Sequence, residues 1–271
     1  MIKSFTRRDT LGLSAGSLFA LGLWPGALRA QDAGKGGNFR FVWLNDTHYI
    51  DEKCGEFLVK VMAQIKASKP KPDFVIFGGD VTDHGSVGEC GGAREAYRTL
   101  DIPFRVVIGN HDYASSSDRN AWENHFPDSL NYHFEHNGWQ FVGLDTTQGT
   151  EYQMTDVQAP TLRWLDDQLP KLDRTKPTVI VTHFPLALAT QWRPYNADKV
   201  LDRFMEHNLV AVFSGHFHSF TERVVGSTIL TTNRCCSLKI KNHDGTKEKG
   251  YFVCTAKDGK LSREFVEVAV A

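Results

Sequence analysis

Apolar residues recur along this chain in short runs of strand length, each bounded by polar or turn residues. Several runs are continuous rather than alternating, which is typical of strands that are covered on both faces. The runs that predict strands are residues 39–44, 74–77, 104–108, 140–144, 178–181, 209–213, 228–231, 251–254 and 264–268.

Three apolar stripes with helical period lie between the earlier runs, whereas the last three runs follow one another with turn residues between them. The stripes are Phe57, Leu58, Val61, Met62 and Ile65, then Leu162, Leu165 and Leu169, then Val200, Leu201, Phe204 and Met205. Strands that alternate with helices predict an α/β fold. We find no internal repeat and no interior linker, so the sequence predicts one α/β domain over residues 38–271.

The composition narrows the class of protein. The chain has 271 residues, with 41% hydrophobic residues and a formal net charge of −1. These values are typical of a globular protein and exclude a disordered or coiled-coil chain. They also exclude a protein that coats a nucleic-acid polymer through a broad basic face.

The first thirty residues have the pattern of an export signal. Lys3, Arg7 and Arg8 form a basic start, and the apolar stretch over residues 11–23 is too short for a permanent membrane anchor. The arginine pair resembles a twin-arginine signal, which exports folded proteins, and an ordinary secretory signal is the alternative. We therefore expect cleavage near Ala30, a periplasmic or secreted protein and no membrane span after removal of the signal.

Five cysteines lie beyond the signal, and no two have the spacing of a zinc ribbon. In an oxidising compartment, one or two disulfides would form. The pairing that the sequence favours is Cys235 or Cys236 with Cys254, because both segments are expected in neighbouring late strands. The alternative is that all five thiols are free and buried.

Polar side chains that bind metals follow five of the predicted strands. The clusters are Asp46–Thr47–His48, Asp80 with Asp83, Asn110–His111–Asp112, His183, and His216 with His218. Each cluster alone has an ordinary explanation, such as a surface turn, a helix cap or a buried core histidine. Since ligand sites of open α/β sheets form beyond the carboxyl ends of the strands, the clusters together predict one site at that edge.

These residues resemble the signature of a known family. Asp46-x-His48, Gly79-Asp80-x-x-Asp83, Gly109-Asn110-His111-Asp112, His183 and Gly215-His216-x-His218 are similar to the motifs of the calcineurin-like metallophosphoesterase superfamily. The resemblance implies a four-layer αββα sandwich, in which two mixed β-sheets are flanked by helices. It also implies a dinuclear metal centre at the strand ends.

The resemblance assigns the metal ligands. Asp46, His48 and His218 would hold one ion, the other ion would be held by Asn110, His183 and His216, and Asp80 would bridge both. Carboxylate, amide and imidazole ligands suit Mn, Fe or Zn, so we expect two divalent or trivalent ions whose identity the sequence leaves open. The implied reaction is attack on a phosphoric ester by a hydroxide bound to these ions.

Two further residues of the motifs have implied catalytic roles. His111 would contact the phosphate and protonate the leaving oxygen, and Asp112 would accept the other ring hydrogen of His111 and fix its orientation. Asp83 either orients a ligand histidine or caps the helix that follows Asp80, and the sequence leaves both open. Purple acid phosphatases have a tyrosine at the position of Asp83 and lack the equivalent of His48, so we expect kinship with the phosphodiesterase branch instead.

Substrate contacts are harder to predict, because they come from loops. Tyr49 and His84 each follow a motif and are candidates for the rim of the site. Trp192 and Arg193 are candidates for holding a base or a second phosphate. The alternative for Trp192, which we favour, is that it packs its loop together with Tyr195. The other histidines have no ligand spacing and are expected to be ordinary surface or loop residues; they are His125, His133, His136, His207 and His243.

The leading hypothesis is a phosphodiesterase that acts on a cyclic nucleotide, a glycerophosphodiester or a similar small diester. One alternative is a broad phosphomonoesterase that scavenges phosphate, or a nucleotide pyrophosphohydrolase. The other is a non-catalytic binding module on the same fold, which should have lost His111 or several ligands. All of them are present, so the expected partner is a small phosphate ester and not a nucleic-acid polymer.

Overall fold

Two mixed β-sheets form the centre of the fold in a computed structural model, which describes residue 34 and residues 36–270. The strands are β1 (Phe39–Leu44), β2 (Phe74–Gly78), β3 (Phe104–Val107), β4 (Tyr132–His136), β5 (Trp139–Leu144), β6 (Thr178–Thr182), β7 (Leu209–Ser214), β8 (Thr221–Val225), β9 (Thr228–Thr232), β10 (Lys249–Lys257) and β11 (Lys260–Val268). One sheet has the order β11-β10-β1-β2-β3 and the other has the order β4-β5-β6-β7-β9-β8.

Helices cover the outer faces of both sheets. They are α1 (Glu52–Ala67), α2 (Val87–Arg98), α3 (Asn120–His125), α4 (Ala159–Gln168) and α5 (Asp198–Arg203), with short 3₁₀ turns at Asn110–Asp112 and Leu169–Lys171. Helices α1 and α2 bury apolar residues against the first sheet, and α4 and α5 against the second. Aromatic side chains such as Phe41, Trp43 and Phe213 fill the space between the sheets. The predicted four-layer sandwich is confirmed.

Each of the motifs follows a parallel strand. Strands β1, β2 and β3 are parallel in the first sheet, and β5, β6, β7 and β9 are parallel in the second. The carboxyl ends of parallel strands meet at one edge of a sheet, so the segments after β1, β2, β3, β6 and β7 converge at one end of the sandwich. Strands β4, β8, β10 and β11 run antiparallel to their neighbours.

The hydrophobic pattern predicted nine of the eleven strands that lie in the described part of the chain. Strand β4 reads Tyr-His-Phe-Glu-His and β8 reads Thr-Glu-Arg-Val-Val, so neither has an apolar run. Both are edge strands, and most of their side chains are half-buried or exposed. Because an edge strand is stabilised by backbone pairing with its neighbour, its sequence carries a weak signal.

Helix α2 was not predicted from the sequence, and its packing shows where Tyr49 lies. Gly92 of this helix leaves room for the Tyr49 ring, since a Cβ atom at residue 92 would lie 2.3 Å from the Tyr49 hydroxyl oxygen. Tyr49 is 9% exposed and also contacts Gly55 of α1. The prediction that Tyr49 lies at the rim of the site is therefore wrong, because its ring packs between α1 and α2.

The predicted disulfide is also wrong. All five cysteines are free and buried. Cys236 packs into the apolar layer beneath α1 and α2, whereas Cys254 packs into the layer between the sheets, so the first sheet separates these two thiols. The Cys235 sulfur lies instead beside Lys249 and Asn242. The alternative of free, buried thiols describes the structure.

The predicted export signal, residues 1–30, lies outside the described residues. Within the described part of the chain, no helix combines the length and the apolar character that are needed to cross a membrane.

Candidate metal centre

Sharp backbone turns at the strand ends bring the motif residues together. Five of the seven predicted ligands have a left-handed backbone, with φ between 44° and 64°; they are Asp46, His48, Asp80, His216 and His218. This conformation costs a non-glycine residue about 1–2 kcal/mol. Because the cost is repeated at five ligand positions, the surrounding packing must hold these turns for a purpose. All seven side chains point into one buried cluster and are at most 5% exposed.

The first half of the cluster contains Asp46, His48 and His218. The Nε2 atom of His218 lies 3.0 Å from a carboxylate oxygen of Asp46 and 3.3 Å from Nε2 of His48. The Asp46 carboxylate also accepts a hydrogen bond from the backbone N–H of His216, which ties β1 to the segment after β7. Together with a carboxylate oxygen of Asp80, these atoms form one group that is close enough to bind a single ion.

The second half contains Asn110, His183 and His216. Nε2 of His183 lies 3.2 Å from the Asn110 amide oxygen and 3.2 Å from Nδ1 of His216. Asp80 belongs to both halves, because one of its carboxylate oxygens lies 3.2 Å from Nε2 of His183 and 3.7 Å from Nε2 of His48. Its position between the two groups agrees with the bridging role that the resemblance implies.

In each predicted ligand histidine, the ring nitrogen that points away from the cluster has a hydrogen-bond partner. Nδ1 of His48 lies 2.8 Å from the Asp83 carboxylate, and Nδ1 of His183 lies 2.9 Å from the Gly78 carbonyl oxygen. Nε2 of His216 lies 2.8 Å from the Tyr152 carbonyl oxygen, and Nδ1 of His218 lies 3.3 Å from that of Lys241. A ring that donates through the outer nitrogen presents the lone pair of its inner nitrogen to the cluster, as metal-binding histidines do.

The charged side chains of the cluster favour the binding of cations. Burial alone would raise the pKa of Asp46, but the neighbouring His218 and His183 hold it at about 2. Burial would lower the pKa of His183, but Asp80 and Asp46 raise it to about 9. Burial and the charge of His183 lower the pKa of His216 to about 3. The buried carboxylates of Asp46 and Asp80 raise the pKa of His183 and the Asp46 carboxylate raises that of His218, so the cluster favours positive charge, which metal ions supply when they bind.

The donor set fits two metal ions. Ligand atoms that lie about 2.1 Å from a shared ion are separated by about 3 Å, which is close to the spacing of the inner nitrogen and oxygen atoms here. Imidazole and carboxylate donors suit the transition metals Mn, Fe and Zn. Each half offers at least three ligands, and Asp80 is common to both.

Comparison with known proteins identifies the family. The model of the calcineurin-like phosphoesterases matches residues 39–220. The chain belongs to the calcineurin-like phosphoesterase family. That family hydrolyses phosphoric esters with two metal ions, and the cluster supplies the groups that could hold them.

Curated relatives of this phosphoesterase include two phosphodiesterases. A probable glycerophosphodiester phosphodiesterase of Arcobacter nitrofigilis is 29% identical over 209 residues, which cover 70% of this chain and 76% of that protein. A 3′,5′-cyclic-nucleotide phosphodiesterase of Nostoc is 26% identical over 170 residues, which cover 60% of this chain and 62% of that protein. The structure of a purple acid phosphatase from yellow lupin seeds shares the fold, with a TM-score of 0.65, 12% identity and coverage of 87% of this chain and 52% of that one.

His111 lies at the open side of the phosphoesterase cluster. Its side chain is 42% exposed, and its ring centroid lies 4.9 Å from that of His48. Nδ1 of His111 lies 2.9 Å from the Asp83 carbonyl oxygen, so Nε2 is the nitrogen that is left to face a substrate. The negative charge of Asp80 raises the pKa of His111, which favours its protonated form.

The structure corrects the prediction for Asp112 and decides the one for Asp83. The Asp112 carboxylate accepts from the backbone N–H groups of Thr82 and Gly109, and the His111 ring is bound to Asp83 instead. Burial and the charge of Asp80 raise the pKa of Asp112 to about 7. Asp112 therefore joins the loops after β2 and β3. The Asp83 carboxylate contacts the ring of His48, one of the predicted ligands, and does not cap α2, whose N-cap is Ser86.

The rim residues differ from the prediction in part. His84 is exposed beside the cluster, and its Nδ1 lies 2.8 Å from a carboxylate oxygen of Glu89. Trp192 is half-buried, with its ring centroid 5.4 Å from that of His216. Arg193 points away from the cluster: its guanidinium donates to the Leu186 carbonyl oxygen at 2.9 Å and pairs with Asp198. The prediction that Arg193 holds substrate is not supported by this geometry, because its donors are used within its own loop and α5.

Two residues beside the ligands had been missed. His243 is exposed, but its ring stacks on that of the ligand His218, with centroids 4.5 Å apart, and meets Trp192 at 4.8 Å. It lies in an exposed loop, as expected, but its contact with the predicted ligand His218 was not anticipated. Tyr152 supports His216 through its backbone carbonyl. The sequence holds no signal for either, since a carbonyl contact is independent of side-chain type and His243 lies 25 residues beyond His218.

Proposed function

We propose that this phosphoesterase hydrolyses small phosphodiesters, with a cyclic nucleotide or a glycerophosphodiester as the substrate class. The relatives from Arcobacter nitrofigilis and Nostoc are named for these two activities. The contact between Asp83 and the ligand His48 supports the same branch, because neither residue matches the purple acid phosphatase pattern.

The observation that carries the proposal is the cluster that could hold two metal ions, in a chain whose relatives include phosphodiesterases. The charge around the ligand side chains points the same way. Among the described residues, no arginine or lysine side chain contacts Asp46, Asp80 or the four ligand imidazoles. A phosphomonoester carries nearly two negative charges at neutral pH, and sites for such groups usually contain arginine. A phosphodiester carries one, which two metal ions and a protonated His111 suffice to balance. The charge of the site therefore favours the diester.

Side chains of the cluster would hold the metal ions, and Asp83 supports one of those side chains. When bound, two metal ions supply Lewis acidity, which lowers the pKa of water to about 7 and stabilises charge on phosphate oxygens. Asp46, His48 and His218 would hold one ion, Asn110, His183 and His216 the other, and Asp80 both. Asp83 keeps the His48 ring in the orientation that presents Nε2 to the cluster.

His111 handles the proton at the open side. With Nδ1 donating to the Asp83 carbonyl oxygen, its protonated Nε2 faces the position of the phosphate. That nitrogen donates a hydrogen bond to a phosphate oxygen and then its proton to the leaving alkoxide. General acid catalysis of this kind contributes about 10²–10⁴-fold in rate.

The test compares a bis-aryl phosphate with the matching mono-aryl phosphate, using purified protein reconstituted with Mn. We expect kcat/KM to be at least about tenfold higher for the diester, a transition-state preference of about 1.4 kcal/mol. A preference for the monoester would contradict the proposal and would make the protein a phosphate-scavenging phosphatase. Hydrolysis of neither ester by metal-loaded protein would favour a binding module on the same fold.

We also propose that the protein is exported to the periplasm by the twin-arginine route. The support is the sequence of residues 1–30, with its adjacent Arg7 and Arg8. Replacement of both arginines by lysine should abolish export while the protein accumulates in the cytoplasm. An unchanged periplasmic yield of that variant would indicate the ordinary secretory route.

A further inference from the structure

A buried lysine lies behind the metal centre without a carboxylate partner. Lys249, the first residue of β10, is 7% exposed, and it forms no ion pair with Asp or Glu among the described residues. Its Nζ atom lies 2.6 Å from the Ile240 carbonyl oxygen and 2.9 Å from the Cys235 sulfur. Burial of an unpaired ammonium group is costly, so this arrangement needs an explanation.

Cys235 is held beside the lysine by the loop between β9 and β10, and its side chain also contacts that of His218. It is fully buried, and its backbone N–H donates to the Asn242 side-chain oxygen at 3.0 Å. Asn242 in turn donates to the Glu248 carbonyl oxygen at 2.9 Å, next to Lys249. At 2.9 Å, the Cys235 sulfur and the Lys249 nitrogen are closer than ordinary van der Waals contact, which is the approach that a covalent link through one atom requires.

The contact is specific to one of the five cysteines. Cys236 is the adjacent residue and is equally buried, but its side chain packs into the apolar layer beneath α1 and α2. Among the described residues, the Cys235 sulfur alone has a lysine nitrogen within hydrogen-bond distance. Cys236 therefore provides an internal control for any reaction that depends on the lysine.

We propose that Cys235 and Lys249 form an oxidative crosslink in which one oxygen atom joins Sγ to Nζ. The oxidant is a peroxide. The crosslink closes the loop between β9 and β10, whose Lys241 carbonyl oxygen supports the predicted metal ligand His218. This site is independent of the substrate of the phosphoesterase.

The reaction takes two equivalents of hydrogen peroxide. The first transfers an oxygen atom to the thiol, breaks the peroxide O–O bond and releases one water, which leaves a sulfenic acid on Cys235. The second removes the sulfenic hydrogen and one hydrogen from the Lys249 nitrogen, whose ammonium group also releases one proton to water, so that an N–O bond forms and two waters are produced. The sulfur and nitrogen lose four electrons in total, which the two peroxides accept.

Peptide mapping tests the crosslink directly. Zinc-loaded protein is treated with hydrogen peroxide, since zinc has no redox chemistry of its own, and is then digested with trypsin without reductant. Cleavage at Lys239, Lys241 and Lys247 separates Cys235 from Lys249. We expect a linked pair of peptides whose mass exceeds the sum of the two by one oxygen atom less two hydrogens, and which dithiothreitol separates.

Matched variants assign the two ends. The crosslink should persist in Cys236→Ser and disappear in Cys235→Ser and Lys249→Arg; if the last two fail to fold, the wild type and Cys236→Ser still decide. Native protein should form the link and urea-unfolded protein should not. Recovery of Cys235 as a free thiol or a sulfinic acid with Lys249 unmodified would overturn the proposal, and so would a linked pair that lacks the oxygen atom.

Discussion

The metal cluster and the rim around it are built in different ways. All seven predicted ligands meet in one buried cluster, and five of them sit on left-handed turns at strand ends. Of the four predicted rim residues, Tyr49 lies in the core and Arg193 is bound within its own loop, while His84 and Trp192 remain beside the site. The cluster is thus fixed by the strands, and the rim by how distant segments pack.

This difference explains why the motifs predict the metal ligands but not the rim residues. A predicted ligand lies one to four residues beyond the end of a strand, so the position of the strand determines where its side chain goes. Glycine assists at such a point: a Cβ atom at Gly109 would lie 2.2 Å from a carboxylate oxygen of Asp80, so only glycine allows that approach. A rim residue such as Trp192 depends on contacts with His216 and His243 that are remote in sequence.

The largest effect is expected at the centre of the cluster, from Asp80→Ala. Asp80 belongs to both halves of the site, so its loss should abolish binding of both metals and with it the activity. Elemental analysis after gel filtration measures the metal content. Asp112→Asn is the matched control, because Asp112 is equally buried but contacts Thr82 and Gly109 instead, and it should keep both metals. Two metals retained in Asp80→Ala would contradict the bridging role.

Much of the fold could be predicted from the sequence, because buried strands leave a clear hydrophobic pattern. The central strands are buried on both faces, so their apolar runs are continuous and easy to detect. Helix α2 gave no such signal, because its three glycines dilute the apolar face, and one of them, Gly92, leaves room for the Tyr49 ring. The capping box of Ser86 and Glu89 was the signal that would have located its start.

The sequence could not predict which partner a given side chain contacts. Asp112 follows His111 directly, yet its carboxylate turns to Thr82 and Gly109, and Asp83 takes the histidine. Similarly, Cys236 and Cys254 come from neighbouring segments but face opposite sides of one sheet. Proximity in sequence does not determine the direction in which a side chain points. That direction determines which residues Asp112 contacts and why Cys236 and Cys254 lie apart.

The second largest effect is expected at the boundary between cluster and rim, from His111→Ala. His111 is no ligand in the predicted scheme, so metal content should stay at two ions per chain while kcat falls by about 10²–10⁴-fold. Stopped-time assays with an aryl diester, together with elemental analysis of the same sample, measure both quantities. An unchanged kcat would remove His111 from the mechanism, whereas a loss of metal would place it among the ligands.

A smaller effect is expected from Asp83→Ala, which removes the support of one ligand. Asp83 contacts Nδ1 of His48 and is not one of the seven predicted ligands, so the cluster should form with weaker affinity for one ion. The loss of such a supporting carboxylate typically costs about 10–100-fold in metal affinity. Titration of metal-free protein with Mn measures it, and Asp83→Asn should recover part of the loss because its amide oxygen still accepts from the ring. Equal affinities of wild type and Asp83→Ala would show that His48 needs no support.

The smallest effect on activity is expected at the rim, from Arg193→Met. The guanidinium of Arg193 donates to Leu186 and pairs with Asp198, and its side chain is 13% exposed, so the substitution should lower the free energy of unfolding by about 1–2 kcal/mol. It should leave KM for an aryl diester within about twofold. Asp198→Asn is the matched control: it weakens the same pair from the other side, so the two substitutions should affect stability less than additively when combined. A tenfold rise in KM for Arg193→Met that Asp198→Asn does not share would show that Arg193 leaves its loop to bind substrate, and the rim would then be assembled by the substrate itself.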